Sequence, residues 1–220
     1  MPASENGRAR SVGNRSAVID RILAVTGEEA ERVGLDHIRM GEIAMRSKVS
    51  RASLYRYFAS KTELVRAYTL REIDAMFEAC DRQHDDGFEA RGAAMLGSSI
   101  VGLRAHPVFG EVFALNDRGV LRSTLTSGEA TAHARELVLE RINESVRAGE
   151  ISLGQFESLV LGELLSRLVV SLASAPETIV RLETEADARD FAEQFLIPLI
   201  RAHATQRQPG DGSAAGSQRR

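Results

Sequence analysis

The 220-residue chain has one cysteine, Cys80, no tryptophan, and only two lysines among its 28 basic residues. A lone cysteine forbids an internal disulfide and fits a reducing compartment. Cys80 lies in a helical pattern, where it reads as a small core residue rather than a reactive thiol. His37, His84, His106, His133 and His203 are scattered, with no His-Glu-x-x-His or Glu-x-x-His spacing. No metal site is therefore expected, and Asp81, Asp85 and Asp86 beside His84 read as the solvated end of a helix. There is no Walker loop, nucleophile elbow or glycine fingerprint, so an enzyme has little support and no cofactor is expected. Met1–Asn14 lacks the apolar region of a signal peptide. The most apolar stretch, Leu159–Ala175, is broken by Glu163 and Arg167 and is too short to cross a bilayer. A cytoplasmic protein is expected. Strand-type alternation is nearly absent and no repeat of helical-array length is visible, which leaves an all-α fold.

What is present is ordinary in bulk and uneven in distribution. With 43% hydrophobic residues the chain can bury a sizeable core without disulfide or metal. Residues 1–66 carry 12 Arg/Lys against 8 Asp/Glu, whereas residues 67–220 carry 16 against 23. A basic module on an acidic body is what a nucleic-acid-binding segment attached to a non-binding remainder would show; a solvated charge distribution without consequence reads equally well.

Periodicity and punctuation predict about nine helices. Composition marks residues 1–14 as a disordered arm and 206–220 as a disordered tail. The first helix is expected over about Arg15–Val33, closed by Gly34, and a second over about Met40–Ser47. Ser50 caps a third helix through about Phe58, and Ser60-Lys61-Thr62-Glu63 opens a long fourth one to about His84. Further helices are expected over about Gly87–Ala105, Val108–Asn116 and Ser127–Ala148. Ser152-x-x-Gln155 reads as a capping box for a helix to Ser174, and Thr184-x-x-Asp187 as one for the last, bent by Pro198.

Two short helices joined by a tight turn at Ser47–Ser50 make a helix-turn-helix, whose second helix would enter a major groove. In Arg51–Phe58, Leu54 and Phe58 are spaced i, i+4 and face inward. That leaves Arg51, Ala52, Ser53, Tyr55 and Arg56 outside. Arginine can bind a guanine edge in bidentate fashion, serine can donate or accept, and alanine can touch a thymine methyl. Tyrosine hydroxyls and Lys61 suit phosphate oxygens. The same helices also read as a packing motif with Tyr55 and Tyr57 half-buried.

Ile43-Ala44, the run Val49 to Phe58, and Ser60-Lys61-Thr62-Glu63-Leu64 resemble the signature of TetR-family (tetracycline-repressor-like) regulators. The resemblance spans about residues 15–68. It implies base-edge contacts from Arg51, Ala52, Ser53 and Arg56, and backbone contacts from Tyr55, Tyr57 and Lys61. Three positions depart from the pattern. Arg39 stands where Ser or Thr commonly caps the second helix, and would meet a phosphate instead. Gly41 stands where some relatives place a groove-reading side chain. Lys48 replaces the usual glycine of the turn, at a cost of about 1 kcal/mol if φ there is positive.

The resemblance further implies a helix-turn-helix domain over 15–66 and a helical effector-binding and dimerisation domain over 67–205. A four-helix dimer interface would be built by Leu153–Ser174 and Glu185–His203. Its apolar faces carry Leu161, Leu164, Leu165, Leu168 and Leu172 on the first helix, and Phe191, Phe195 and Leu199 on the second; these are wider than one core contact requires. Candidate pocket residues are Met76, Phe77, Cys80, Met95, Leu96, Ser99, Leu103, Phe109, Val112 and Phe113, a lining suited to a largely apolar effector. The same stripe also reads as plain core. The expected function is a dimeric, ligand-responsive repressor on a palindromic operator. The competing readings are a TetR-like activator, and a helical enzyme or carrier whose N-terminal helices only pack.

Overall fold

The computed structural model describes residues 5–81, 87–110, 128–175 and 179–205, and among them every regular element is helical. The order is α1 (Glu5–Val33), a 3-10 turn (Leu35–His37), α2 (Met40–Arg46), α3 (Arg51–Tyr57), α4 (Lys61–Asp81) and α5 (Gly87–Ala105). Then follow α6 (Gly128–Arg147), α7 (Gln155–Ser174), α8 (Glu185–Phe191), a π turn (Ala192–Leu196) and α9 (Ile197–Thr205). The expected helix at Val108–Asn116 and the tail at 206–220 fall largely or wholly outside the described residues.

Two local readings are corrected. Helix α1 begins at Glu5 rather than near Arg15, so residues 5–14 are helical and not an unstructured arm. Glu5, Arg8, Ala9 and Arg10 are good helix formers, and adding turns to a nucleated helix costs little. The box at Ser152 does not form: Ser158 N–H donates to the Gly154 carbonyl at 3.0 Å, and α7 starts at Gln155. The box at Thr184 does form, with both reciprocal bonds present. A π turn stands immediately before Pro198, where Ile197 N–H reaches the Ala192 carbonyl. Widening that turn relieves the missing N–H of proline and the crowding of its ring.

The contacts divide the described chain into two compact units. One holds residues 5–76, 102–110, 128–133 and 173–175; the other holds 77–81, 87–101, 134–172 and 179–205. The sequence places its boundary near Arg66, ten residues before the division within α4 at Met76. The first unit is built on Ile22, Leu35, Ile43, Leu54, Leu64 and Tyr68, all nearly or wholly buried. Burying one such side chain contributes about 1.5–3 kcal/mol. Gly27, inside α1, lets the ring of Tyr68 approach: a Cβ there would stand 3.0 Å from its Cε2.

In the second unit one core cluster joins Ala93, Leu96, Ala192, Ile197 and Ile200. A second joins Ile100, Leu182 and Ala188.

Candidate DNA-reading surface and ligand cavity

Two short helices hold their angle only if the turn between them is rigid. Val49 N–H donates to the Ala44 carbonyl and Lys48 N–H to the Met45 carbonyl, the paired bonds of a Schellman ending. That ending needs a left-handed residue, and Lys48 supplies it with φ 56°, the one non-glycine positive φ among the described residues. Helix α6 ends on the same pair of bonds with Gly149 at φ 74°. From α1, Arg21 Nε donates to the Ser47 carbonyl at 2.9 Å and pins the turn to the domain.

Ion pairs add a second tie between α1 and α2. Glu29 is 3% exposed and accepts from Arg32 and, at 2.7 Å, from Arg46. Arg32, its strongest partner, holds the carboxyl below the usual carboxylate range, with Arg46 adding to the effect against the cost of burial.

Helix α3 starts at a true cap. Ser50 Oγ accepts the N–H of Ser53 and donates its own hydrogen to Ser53 Oγ, both at 3.0 Å. The Ser53 hydroxyl hydrogen remains free to donate outward. Leu54 is fully buried and Phe58 nearly so, while Arg51, Ala52, Tyr55 and Arg56 are exposed. These lie where the sequence places them. Tyr57 is half-buried, with the guanidinium groups of Arg15 and Arg56 at 5.9 Å and 5.7 Å from its ring centre. The two arginines orient that ring.

Arg39 is exposed, and its side chain forms no cap at the start of α2. Lys61 is half-buried, and its Nζ donates to the Asp36 carbonyl at 2.5 Å. Sequence reasoning assigned Lys61 outward only. The inward bond was not visible because Asp36 lies 25 residues away. Two ammonium hydrogens remain for a phosphate.

The second unit contains a cavity of about 370 Å³ walled by apolar side chains that include Phe88, Met95, Leu96, Ile142, Leu165 and Ile197. Of the expected pocket residues, Cys80, Met95 and Leu96 line it. Met76, Phe77, Ser99, Leu103 and Phe109 do not; Phe77 sits beneath the Arg141 guanidinium, and Phe109 stacks on His106 at 4.1 Å. Val112 and Phe113 lie outside the described residues. The lining is also more polar than the sequence suggests, since Asp81, Arg91, Arg141, Glu144 and Ser145 contribute. Both arginines are already engaged: Arg141 Nε donates to Asp81 at 2.9 Å, and Arg91 pairs with Glu150 and Ser145. Burial raises the Cys80 thiol, which disfavours the thiolate.

The expected dimer residues divide. Leu164, Phe195 and Leu199 are 60%, 52% and 61% exposed. Leu161 and Leu165 pack on one core cluster of their own unit, and Leu172 and Phe191 on the other. Leu168 is half-buried. A helix 20 residues long turns one stripe inward, so part of a wide apolar face packs within the chain itself. Phe156, Leu159 and Val160, which the sequence analysis did not single out, are also exposed on the helix that carries Leu164.

Among the described residues no helix is long and apolar enough to cross a membrane, and no group of His, Cys, Asp and Glu is placed to hold a metal ion.

Residues 22–68 match the model for bacterial regulatory proteins of the tetR family. No curated protein matches the sequence. Among solved structures, the fold is similar to the TetR family repressor AlkX from Dietzia sp., implicated in biodegradation of n-alkanes. That likeness has 16% identity and a TM-score of 0.64, covering 84% of this chain and 95% of that one. It is similar to a TetR transcriptional regulator from Rhodococcus sp. at 23% identity and a TM-score of 0.57, covering 84% and 99%. It also resembles RolR in complex with the ligand resorcinol, at 13% identity and a TM-score of 0.57, covering 90% and 98%. Residues 22–68 thus match the tetR-family model in sequence, and the chain shares the fold of these solved TetR-family structures.

Proposed function

We propose that the protein is a cytoplasmic repressor that binds a palindromic operator as a homodimer and leaves it when a small molecule fills the cavity of the second unit. The observation that carries this reading is the exposed face of α3. Arg51, Ala52, Ser53 and Arg56 stand together on a capped, pinned helix, with Tyr55, Tyr57 and Lys61 around them. Arg51, Ala52, Ser53 and Arg56 read base edges; Arg39, Tyr55, Tyr57 and Lys61 meet the backbone. Residues 15–66 are the DNA-binding domain and 67–205 the effector and dimerisation domain.

Exposed Phe156, Val160 and Leu164 on α7, with Phe195 and Leu199 near the chain's end, support pairing with a second copy. A dimer places two recognition helices at half-sites about 34 Å apart or a multiple of that. The cavity supports a compact, mainly apolar effector carrying an acceptor for Arg91 or Arg141. For the switch to work, the effector must favour the DNA-free state by a few kcal/mol, since equal affinity shifts nothing.

The test is selection from random duplex DNA and from the DNA flanking the protein's own gene. Enrichment of an inverted repeat is expected, and an unselective protein would overturn the reading. Mass spectrometry of molecules that co-purify then identifies the effector.

A further inference from the structure

Gly41 is the second residue of α2, and nothing in its backbone requires glycine: its φ is not among the positive values. Glycine is a poor helix former at such a position, where alanine would be better. What the missing side chain leaves is space, and Arg51 of α3 fills it. A Cβ on Gly41 would stand 2.2 Å from Arg51 Nη2, 2.9 Å from Cζ and 3.0 Å from Nε. All three atoms belong to one guanidinium, so the group lies across the start of α2. Among the described residues no carboxylate holds it there.

We propose that Gly41 is a positioning residue for Arg51: by omitting a side chain it seats the guanidinium against α2 and sets the base pair that Arg51 addresses. This rests on the DNA-reading function proposed above. A guanine edge accepts two N–H groups only when the fork arrives in plane, so shifting the guanidinium changes readout even though arginine is still present. Any clash from a new Cβ falls on the far end of a flexible side chain rather than on backbone. The domain therefore keeps its fold and Arg51 moves. Gly41 would influence specificity while touching no base.

The experiment compares full-length wild type, Gly41→Ala, Arg51→Ala and the double variant by sequencing of selected DNA and by titration with single-base-pair operator variants. Gly41→Ala is expected to unfold at or above the wild-type temperature and to retain binding to non-specific DNA. It should lose about 5- to 150-fold discrimination at one base pair per half-site, the worth of one bidentate contact. On the Arg51→Ala background it should change nothing. An unchanged preference in Gly41→Ala overturns the proposal, as does an equal change with and without Arg51. Gly41→Ser guards against a folding defect peculiar to one variant, and its profile must shift at the same base pair. If wild type itself selects no sequence, the underlying reading has failed before any variant is compared, and this inference fails with it.

Discussion

Lys61 ties the start of α4 to the turn between α1 and α2: its ammonium, on the first residue of α4, donates to the carbonyl of Asp36 at 2.5 Å. The same group is proposed above to meet a phosphate. Lys61→Ala should therefore weaken binding to every sequence and reduce the salt dependence by about 1 per subunit. It should also lower stability by about 1 kcal/mol through the lost hydrogen bond. Binding titrations over a salt series, with denaturant melts, measure both. An unchanged salt slope would remove Lys61 from the phosphate contacts.

Lys48 occupies a left-handed position that glycine fills at the matching end of α6. Lys48→Gly should raise stability by about 1 kcal/mol, because the left-handed conformation is costly for a residue with a Cβ. Urea unfolding of the two proteins decides the matter; equal midpoints would mean that the turn carries no such strain.

Glu29 predicts a pH dependence. Its folded carboxyl lies below the ordinary range, so the folded state binds the proton less readily than the unfolded chain. That stabilisation is present above the unfolded value of about 4.3 and is lost as pH falls through the folded value. Glu29→Gln should be less stable than wild type at neutral pH, and the gap should close in acid. A gap that stays constant on acidification would show that the Arg32 and Arg46 pairs contribute nothing.

Leu164 on α7 lies 60% exposed beside Phe156 and Val160. Leu164→Asp places a charge in the proposed dimer contact, where an unpaired buried charge is strongly unfavourable. Analytical ultracentrifugation should find a monomer with an intact helical spectrum. A dimer that persists would place the interface elsewhere.

Filling the cavity separates effector response from DNA binding. Gly92 lines it, and a Cβ there would meet Ile197 Cδ1 at 3.7 Å, an ordinary contact. Gly92→Leu would reach further into the space. It should keep operator affinity while blunting release by the identified effector. Full release in that variant would move the effector site out of this cavity.

The helix-turn-helix was legible because everything that defines it is close in sequence. Leu54 and Phe58 are four residues apart, Ser50 caps Ser53, and the turn closes within Ala44–Val49. Capping and periodicity act over one or two helical turns, and residue order states them directly. Where a cap competes with a neighbouring start, as at Ser152, local pattern alone misplaces the helix end.

The amino-acid order alone determined the all-α class, the family signature and the outward face of α3. Tertiary structure decided which half of each apolar stripe is core. It set Leu161 and Leu165 inward and left Leu164 exposed, although all are leucines on one helix. It also brought Cys80, Leu96, Ile142 and Ile200 around one cavity from positions up to 120 residues apart, and laid Arg51 over Gly41. The physical reason is one of range. Hydrogen-bonded turns and hydrophobic period are set by neighbours in the chain, whereas burial depends on which distant surface arrives to cover each face.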